Sequence, residues 1–150
     1  MKMQAEETID YHFRNIWHSI SRIYNTEAQK YGITMSIGYT LITISKEGTP
    51  STKLGPLMGM EPRSLTRMLK SLEEKGWIYR KQDAKDKRMV RIFLTEVGKE
   101  KRKLAKKAVL TFNEKVQDKM TKTELKGFFK TCVKLSNVLD KNEIFEQKLN

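Results

Sequence analysis

The stretch that decides the fold runs from Glu61 to Thr95 and reads EPRSLTRMLKSLEEKGWIYRKQDAKDKRMVRIFLT. Its first half predicts a short helix, because apolar residues recur at steps of three and four and leave a polar, basic face opposite. The apolar positions are Leu65, Met68, Leu69 and Leu72, and the other face carries Arg63, Thr66, Arg67 and Lys70. Two strand-like runs, 77–81 and 89–94, follow Gly76 and are joined by a charged tip. The stretch therefore predicts a helix followed by a basic β-hairpin.

The second predicted strand alternates in polarity. Val90, Ile92 and Leu94 fall on one face, and Arg91 and Phe93 fall on the other. Such alternation is typical of a strand with one buried face. It places the hairpin against a core.

The rest of the chain reads as helices that begin at capping residues and stop at glycines. Further helices are predicted at 6–30, 35–46, 51–58, 96–119 and from 122 onward, with caps at Thr34, Thr49 before Pro50, Thr95 and the Thr121-to-Glu124 capping box. Residues 141–150 read as a fraying tail. A helix, a short turn, a second helix and a hairpin form the outline of a winged helix-turn-helix.

We therefore expect a mostly α protein with a small β-wing, in one continuous fold unit. Its parts are a first helix at 1–33, a winged helix-turn-helix lobe at 34–98 and C-terminal helices at 99–150. A length of 150 residues fits about one domain and a sizeable core.

Charge and composition restrict the function. The chain has 30 Lys and Arg against 18 Asp and Glu, a net charge of +12. Residues 61–91 hold ten basic and five acidic residues, a net +5, so the excess is concentrated in the helix and hairpin. An anionic partner is expected, and nucleic acid and acidic membrane both fit.

Other classes find little support in the sequence. The apolar stretches are too short to span a bilayer, and the N-terminus has no signal-peptide core, so a cytoplasmic protein is expected. One cysteine and two histidines, His12 and His18, predict neither an intrachain disulfide nor a zinc site. No Gly-rich phosphate loop or nucleophile–base pair stands out. We expect no enzymatic activity and no cofactor.

At this point the chain resembles the MarR family of bacterial transcription regulators. The resemblance rests on Asp83-Ala84-Lys85-Asp86-Lys87-Arg88, on the strand that follows, on Thr95-Glu96-Val97-Gly98, and on Leu72-Glu73-Glu74-Lys75-Gly76 at the end of the helix. Ala84 stands where the family often has proline, and Lys87 stands where arginine is frequent. The resemblance implies a winged helix that binds double-stranded DNA as a homodimer and often as a repressor.

The predicted helix of this stretch would enter the major groove by its N-terminal half. Candidate base contacts are Arg63, Ser64, Thr66 and Arg67; candidate phosphate contacts are Thr52, Lys53, Lys70, Lys85 and Lys87. Arginine can offer two parallel donors to guanine, which favours the two arginines for sequence choice. The alternative is that these side chains only solvate an exposed helix face.

The hairpin tip predicts a minor-groove contact. A narrow A/T-rich groove attracts an inserted arginine, which indicates Arg88. The resemblance implies that Asp86 orients its guanidinium, through a charge-assisted hydrogen bond. We expect Asp83 to tie the base of the wing to Arg80. A solvated turn with a weak surface ion pair is the alternative.

Assembly and signalling are also implied by the resemblance. The expected dimer interface consists of Ile9, Phe13, Ile16, Phe128, Phe129, Leu135 and Leu139, unless these residues form an intrachain core. A small phenolic or lipophilic effector would bind near Trp17, Tyr24 and Tyr39, although aromatic residues at helical spacing also serve as core. Cys132 is expected as a small buried hydrophobe and not as a redox sensor.

Two other binding functions stay open. A non-specific architectural DNA protein would use the same charge without sequence choice. A basic helix at 99–107 would bind an acidic membrane surface.

Overall fold

The computed structural model describes residues 4–141 and 144, and its order of elements confirms a mostly helical chain with a small β-wing. The elements are a 3₁₀ turn at Ala5–Glu7, α1 (Ile9–Gln29), α2 (Met35–Thr43), β1 (Thr49–Pro50), α3 (Ser51–Met58), α4 (Pro62–Glu74), β2 (Ile78–Gln82), β3 (Val90–Leu94), α5 (Glu96–Gln117) and α6 (Lys122–Asp140). Apart from 141 and 144, the predicted tail at 141–150 lies outside the described residues. The chain divides into two compact units, residues 1–109 and 110–150.

The sheet of the first unit has three antiparallel strands in the order β1-β3-β2. The strand β1 was not predicted. Thr49 was expected to cap α3, but it pairs with Ile92 in the sheet, and Pro50 stands at the N-cap position of α3. Proline fits this place because its fixed φ suits an extended backbone at a strand edge. Its φ of −54° and ψ of 131° are extended.

The second helix is shorter than predicted, ending at Thr43 and not at Lys46. The Thr49 hydroxyl donates to the Thr43 carbonyl (3.3 Å) and accepts from the Ser45 amide (3.0 Å). These bonds satisfy backbone groups that another helical turn would have used, so the chain leaves the helix early. Thr34 caps the start of α2 as predicted, accepting from the Ile37 amide.

The core of the first unit lies between α2, α3, α4 and the sheet. Its buried members are Leu41, Ile44, Leu54, Leu65, Leu69, Leu72, Ile78, Ile92 and Leu94. The alternation predicted for β3 is confirmed, since Ile92 and Leu94 are buried and Val90 packs partly buried against the same cluster. Each fully buried leucine or isoleucine contributes roughly 1.5–3 kcal/mol of transfer free energy. This core holds α4 and the hairpin together.

The junction between the hairpin and α5 is tight. Thr95 caps α5 as predicted: its hydroxyl accepts from the Gly98 amide (3.1 Å) and donates to the Gly76 carbonyl (2.7 Å). The Thr95 amide donates to the Trp77 carbonyl (3.0 Å). A Cβ at Gly98 would lie 1.9 Å from that same carbonyl oxygen. Only glycine fits there.

The second unit contains the end of α5, from residue 110, and α6. The predicted capping box at the start of α6 is confirmed: Thr121 accepts from the Glu124 amide, and the Glu124 carboxylate accepts from the Thr121 amide (2.7 Å). The Thr121 amide and hydroxyl, which both donate to the Glu124 carboxylate, hold the pKa of Glu124 below its ordinary value. Phe128 and Phe129 contact each other edge to face, and each is 52% exposed.

Candidate nucleic-acid interface

The helix α4 presents its polar face to solvent, as its periodicity predicted. Leu65, Leu69 and Leu72 are buried in the core, and the predicted base-contacting residues Arg63, Ser64, Thr66 and Arg67 are exposed along the N-terminal half. Glu61 stands at the N-cap without a side-chain bond to the helix, and Pro62 begins it. The first amides of α4 are therefore not capped by the N-cap side chain.

The exposed side chains of α4 differ in their partners. Within the described chain, no hydrogen bond or ion pair engages the side chains of Arg63, Ser64 or Arg67. Thr66 donates to the Pro62 carbonyl (2.9 Å), and Lys70 lies 3.9 Å from Glu74 on the same face. Because Thr66 already has an acceptor, the two arginines and Ser64 have the freest donors.

The preceding helix α3 contributes its first turn. Thr52 and Lys53 are both exposed there, just after the buried Pro50 and the partly buried Ser51. Gly59, with a φ of 58°, ends α3 in the left-handed region and allows the tight turn into α4. The helix-turn-helix expected from the sequence is present.

The hairpin tip is an ordered loop. The Asp83 amide donates to the Met89 carbonyl (2.9 Å), and the Met89 amide donates to the Asp86 carbonyl (2.9 Å). Lys85, Lys87 and Arg88 are exposed on it. The tip thus holds three basic side chains outward on a hydrogen-bonded backbone.

The predicted side-chain pair between Asp86 and Arg88 is not formed. The Asp86 carboxylate instead accepts from the backbone amide of Arg88 (3.0 Å), and no ion pair between the two side chains occurs in the described part of the chain. An aspartate two residues before an amide favours this local Asx-type bond. Asp86 orients the Arg88 backbone and leaves the guanidinium exposed.

The predicted pairing of Asp83 with Arg80 is wrong. Asp83 pairs with Arg91, and Arg80 pairs with Glu73 of α4 (3.0 Å). The pleat is the reason: Arg80 lies opposite Ile92 and Lys81 lies opposite Arg91, so Arg80 and Arg91 occupy opposite faces of the hairpin. The hydrogen bond from Arg91, joined by those from the Asp86 and Lys85 amides, holds the pKa of Asp83 far below its usual range.

Three basic residues were missed as structural anchors. Arg91 also donates to the Gly48 carbonyl (2.8 Å), Arg102 donates to the Ile44 carbonyl at the end of α2 (3.0 Å), and Lys101 donates to the Tyr31 carbonyl (2.9 Å). From the sequence, these residues were expected only to contribute to the net positive charge. Their acceptors are backbone carbonyls 43, 58 and 70 residues away, which no local pattern can indicate.

The helix-turn-helix and the hairpin of this chain are similar to those of known proteins. The model of the MarR family matches residues 33–90, which include α2, α3, α4, β2 and the hairpin tip. The transcriptional regulator SarZ of Staphylococcus aureus is 35% identical over 97 residues, 63% of this chain and 66% of SarZ. The chain carries a MarR-family domain at residues 33–90. It spans slightly less than two thirds of the length of that relative.

Solved structures share the fold of this chain. The MepR–DNA complex of S. aureus matches with a TM-score of 0.79 at 22% identity, covering 88% of this chain and 98% of MepR. FabT of Streptococcus pneumoniae in complex with DNA matches with a TM-score of 0.73 at 24% identity, covering 89% and 96%. At these identities the likeness concerns the fold.

A small pocket of about 30 Å³, open to solvent, lies between α1, α2 and the first half of α5. Tyr24 and Tyr39 line it, together with Tyr31, Met35 and Ala108. The two predicted tyrosines contact each other edge to face at 6.0 Å. Burial, with the nearby Tyr39, raises the pKa of Tyr24 to about 12.

Trp17, the third residue predicted for this pocket, does not line it. It is 54% exposed on α1. Trp17 lies seven residues, about two helical turns, before Tyr24, so the two share a helix face but are separated by roughly 10 Å along the axis. The helical period of the sequence predicted that Trp17 and Tyr24 share a face of α1, but it could not predict how far along that face the pocket extends.

The residues predicted for a dimer interface are exposed in the single chain. In the first unit, Ile9, Phe13 and Ile16 of α1 are 47–58% exposed. In the second unit, Phe128, Phe129 and Leu139 of α6 are 52–59% exposed, and Leu135 is partly exposed. The alternative of an intrachain core does not apply to the six exposed residues.

Other kinds of site find no support among the residues that the structure describes. No group of three or more His, Cys, Asp or Glu side chains there could hold a metal ion. None of the helices is long and apolar enough to cross a bilayer, within the same residues. Cys132 is only partly buried on α6.

Proposed function

We propose that this chain is a sequence-specific DNA-binding transcriptional regulator that acts as a homodimer, as a repressor in the cytoplasm. One observation carries the proposal: Arg63, Ser64 and Arg67 stand unengaged on the exposed face of α4, next in the chain to an ordered wing with an exposed Arg88. The α4 side chains would read base edges in the major groove, and Arg88 would enter the minor groove. Thr66, Thr52, Lys53, Lys70, Lys85 and Lys87 would complete the contact to bases and phosphates.

The test is selection of bound fragments from the genome that encodes the chain, followed by competition with random duplex. A regulator keeps a large preference for the selected site at fixed salt, and an architectural protein loses all binding uniformly as salt rises. Arg67→Ala should reduce the preference by about 1–3 kcal/mol, and Lys53→Ala should weaken all duplexes alike. Equal affinity of the wild type for selected and random DNA would contradict the proposal.

The proposed dimer interface consists of the exposed apolar residues of α1 and α6. These helices belong to the predicted segments 1–33 and 99–150, which precede and follow the DNA-binding lobe at 34–98 in the sequence. Exposed apolar side chains on this scale mark an interaction surface. A two-fold dimer predicts half-sites about 10 base pairs apart. Light scattering should give a dimer, and Phe128→Lys should give a monomer. A matched charge change at the exposed Gln117 should leave the dimer intact.

We also propose that the pocket between α1, α2 and α5 binds a small phenolic or lipophilic effector that releases DNA. Its lining is mostly apolar and aromatic, as the lining of small-molecule sites usually is. An effector acts only through a difference in affinity between two states. Ala108→Phe should fill the pocket and abolish release by aromatic acids, whereas Trp17→Phe, outside the pocket, should not. Release unchanged in Ala108→Phe would exclude this site.

A further inference from the structure

Arg91 connects both outer strands of the sheet from its place on the central strand. Its guanidinium contacts the carboxylate of Asp83, which directly follows β2, and the carbonyl of Gly48, which directly precedes β1, at 2.8 Å. The side chain is 31% exposed and that of Asp83 is 7% exposed. A planar guanidinium can hold two such acceptors at once, which a lysine ammonium on a flexible stem does poorly.

From Asp83 a chain of hydrogen bonds leads to the wing tip. The Asp83 carboxylate accepts from the amides of Lys85 (2.8 Å) and Asp86 (3.0 Å). The Asp86 carboxylate accepts in turn from the amide of Arg88 (3.0 Å). The backbone that carries Arg88 is therefore held by carboxylates whose first anchor is Arg91.

We propose that Arg91 is a positioning residue for DNA binding, which sets the place of Arg88 through Asp83 and Asp86 without touching DNA itself. This rests on the proposed function. The geometry supports it, because the Nε and Nη1 groups of Arg91 are already engaged with protein acceptors. Ordering the tip before DNA arrives lowers the conformational entropy lost on binding.

A double-mutant cycle separates positioning from direct contact. We expect Arg91→Gln to weaken binding to the selected duplex about tenfold, a loss in the range of coupled neighbouring residues. In an Arg88→Ala background the same substitution should change affinity by less than about twofold, because its effect passes through Arg88. Arg91→Lys should recover part of the loss. An equal loss in both backgrounds would show that Arg91 contacts DNA or acts on general stability, and would overturn the proposal.

Arg80→Gln is the matched control. It also removes a wing arginine and its ion pair, but that pair leads to Glu73 and not to the tip. It should leave affinity within about twofold, since exposed ion pairs contribute little. A loss equal to that of Arg91→Gln would mean that wing charge alone matters, and would overturn the proposal.

Amide hydrogen exchange of the free protein tests the same chain of bonds without DNA. Arg91→Gln should speed exchange at Lys85 and Asp86 by about tenfold or more, with no change at Leu69 in α4. Unchanged exchange at the tip would overturn the proposal, even if DNA affinity fell. If the wild-type protein bound no duplex, the proposed function and the DNA-binding role of Arg91 would both fail. Uniformly faster exchange in all helices would show that Arg91→Gln unfolds the protein. Arg91→Lys then replaces it, and a smaller increase in exchange, confined to Lys85 and Asp86, is required.

Discussion

The junction between the wing and α5 yields a sharp prediction for Gly98→Ala. A Cβ at Gly98 would lie 1.9 Å from the Trp77 carbonyl oxygen and 3.0 Å from its carbon. Ordinary contact needs more than 3 Å, so α5 or the start of the hairpin must move by over 1 Å. The Trp77 carbonyl cannot turn away freely, because it accepts from the Thr95 amide.

The expected cost is about 3 kcal/mol, at the upper end for an added methyl group in a packed site. For a chain of this size that corresponds to a fall in melting temperature of roughly 6–12 °C. The control is the same substitution at Gly127 of α6, where a Cβ meets nothing within 4 Å. Gly127→Ala should stabilise by roughly 0.5–1 kcal/mol, since alanine favours a helix interior.

Urea unfolding followed by circular dichroism, at one fixed protein concentration, measures both variants. The concentration must be held because dimerisation would shift apparent stability. A Gly98→Ala protein within about 0.5 kcal/mol of the wild type would refute the reasoning. So would equal destabilisation of the two alanine variants, because it would trace the effect to the residue type and not to the Trp77 carbonyl.

Three further predictions concern packing and titration. Leu72→Ala, at 0% exposure, should lower the free energy of unfolding by about 2–5 kcal/mol, whereas Leu57→Ala, at 65% exposure, should change it little, as urea unfolding would show. The pKa of Asp83 is lowered in the folded protein, so this carboxylate stabilises the fold at pH values above its ordinary pKa of 3.8, and the stabilisation is lost as the pH falls below 3.8. Melting curves should therefore show that the wild type loses stability below pH 3.8 more steeply than Asp83→Asn does. The pKa of Tyr24 is raised to about 12, so its contribution is complete below pH 10 and is lost between about 10 and 12; an ultraviolet titration should show a late tyrosine step, and Tyr24→Phe should remove it.

Local signals predicted most of the fold because they act within one or two turns. The 3.6-residue period identified the buried face of α4, and the strand alternation identified that of β3. Thr34, Thr95 and Thr121 cap their helices as expected, since a hydroxyl satisfies an amide two or three residues on.

Long-range partners were beyond those signals. Asp83 was assigned to Arg80 because the two are close in sequence, yet the pleat turned Arg80 toward Glu73 and left Asp83 to Arg91. In the same way, Thr49 looked like a helix cap until strand β1 paired with β3. In each case the sequence suggested a partner nearby in the chain, and the fold supplied one from another strand or helix.

The sequence by itself determined the helices, the wing, the basic face of α4 and the family resemblance, because periodicity, capping and charge are written in neighbouring residues. Only the tertiary structure decided which charges bind the protein and which stay exposed. Arg91 and Arg102 are anchored to distant carbonyls, whereas Arg63, Arg67 and Arg88 remain exposed. The physical reason is that a hydrogen bond depends on where two groups meet in space, and the fold brings together residues that lie 43 or more positions apart.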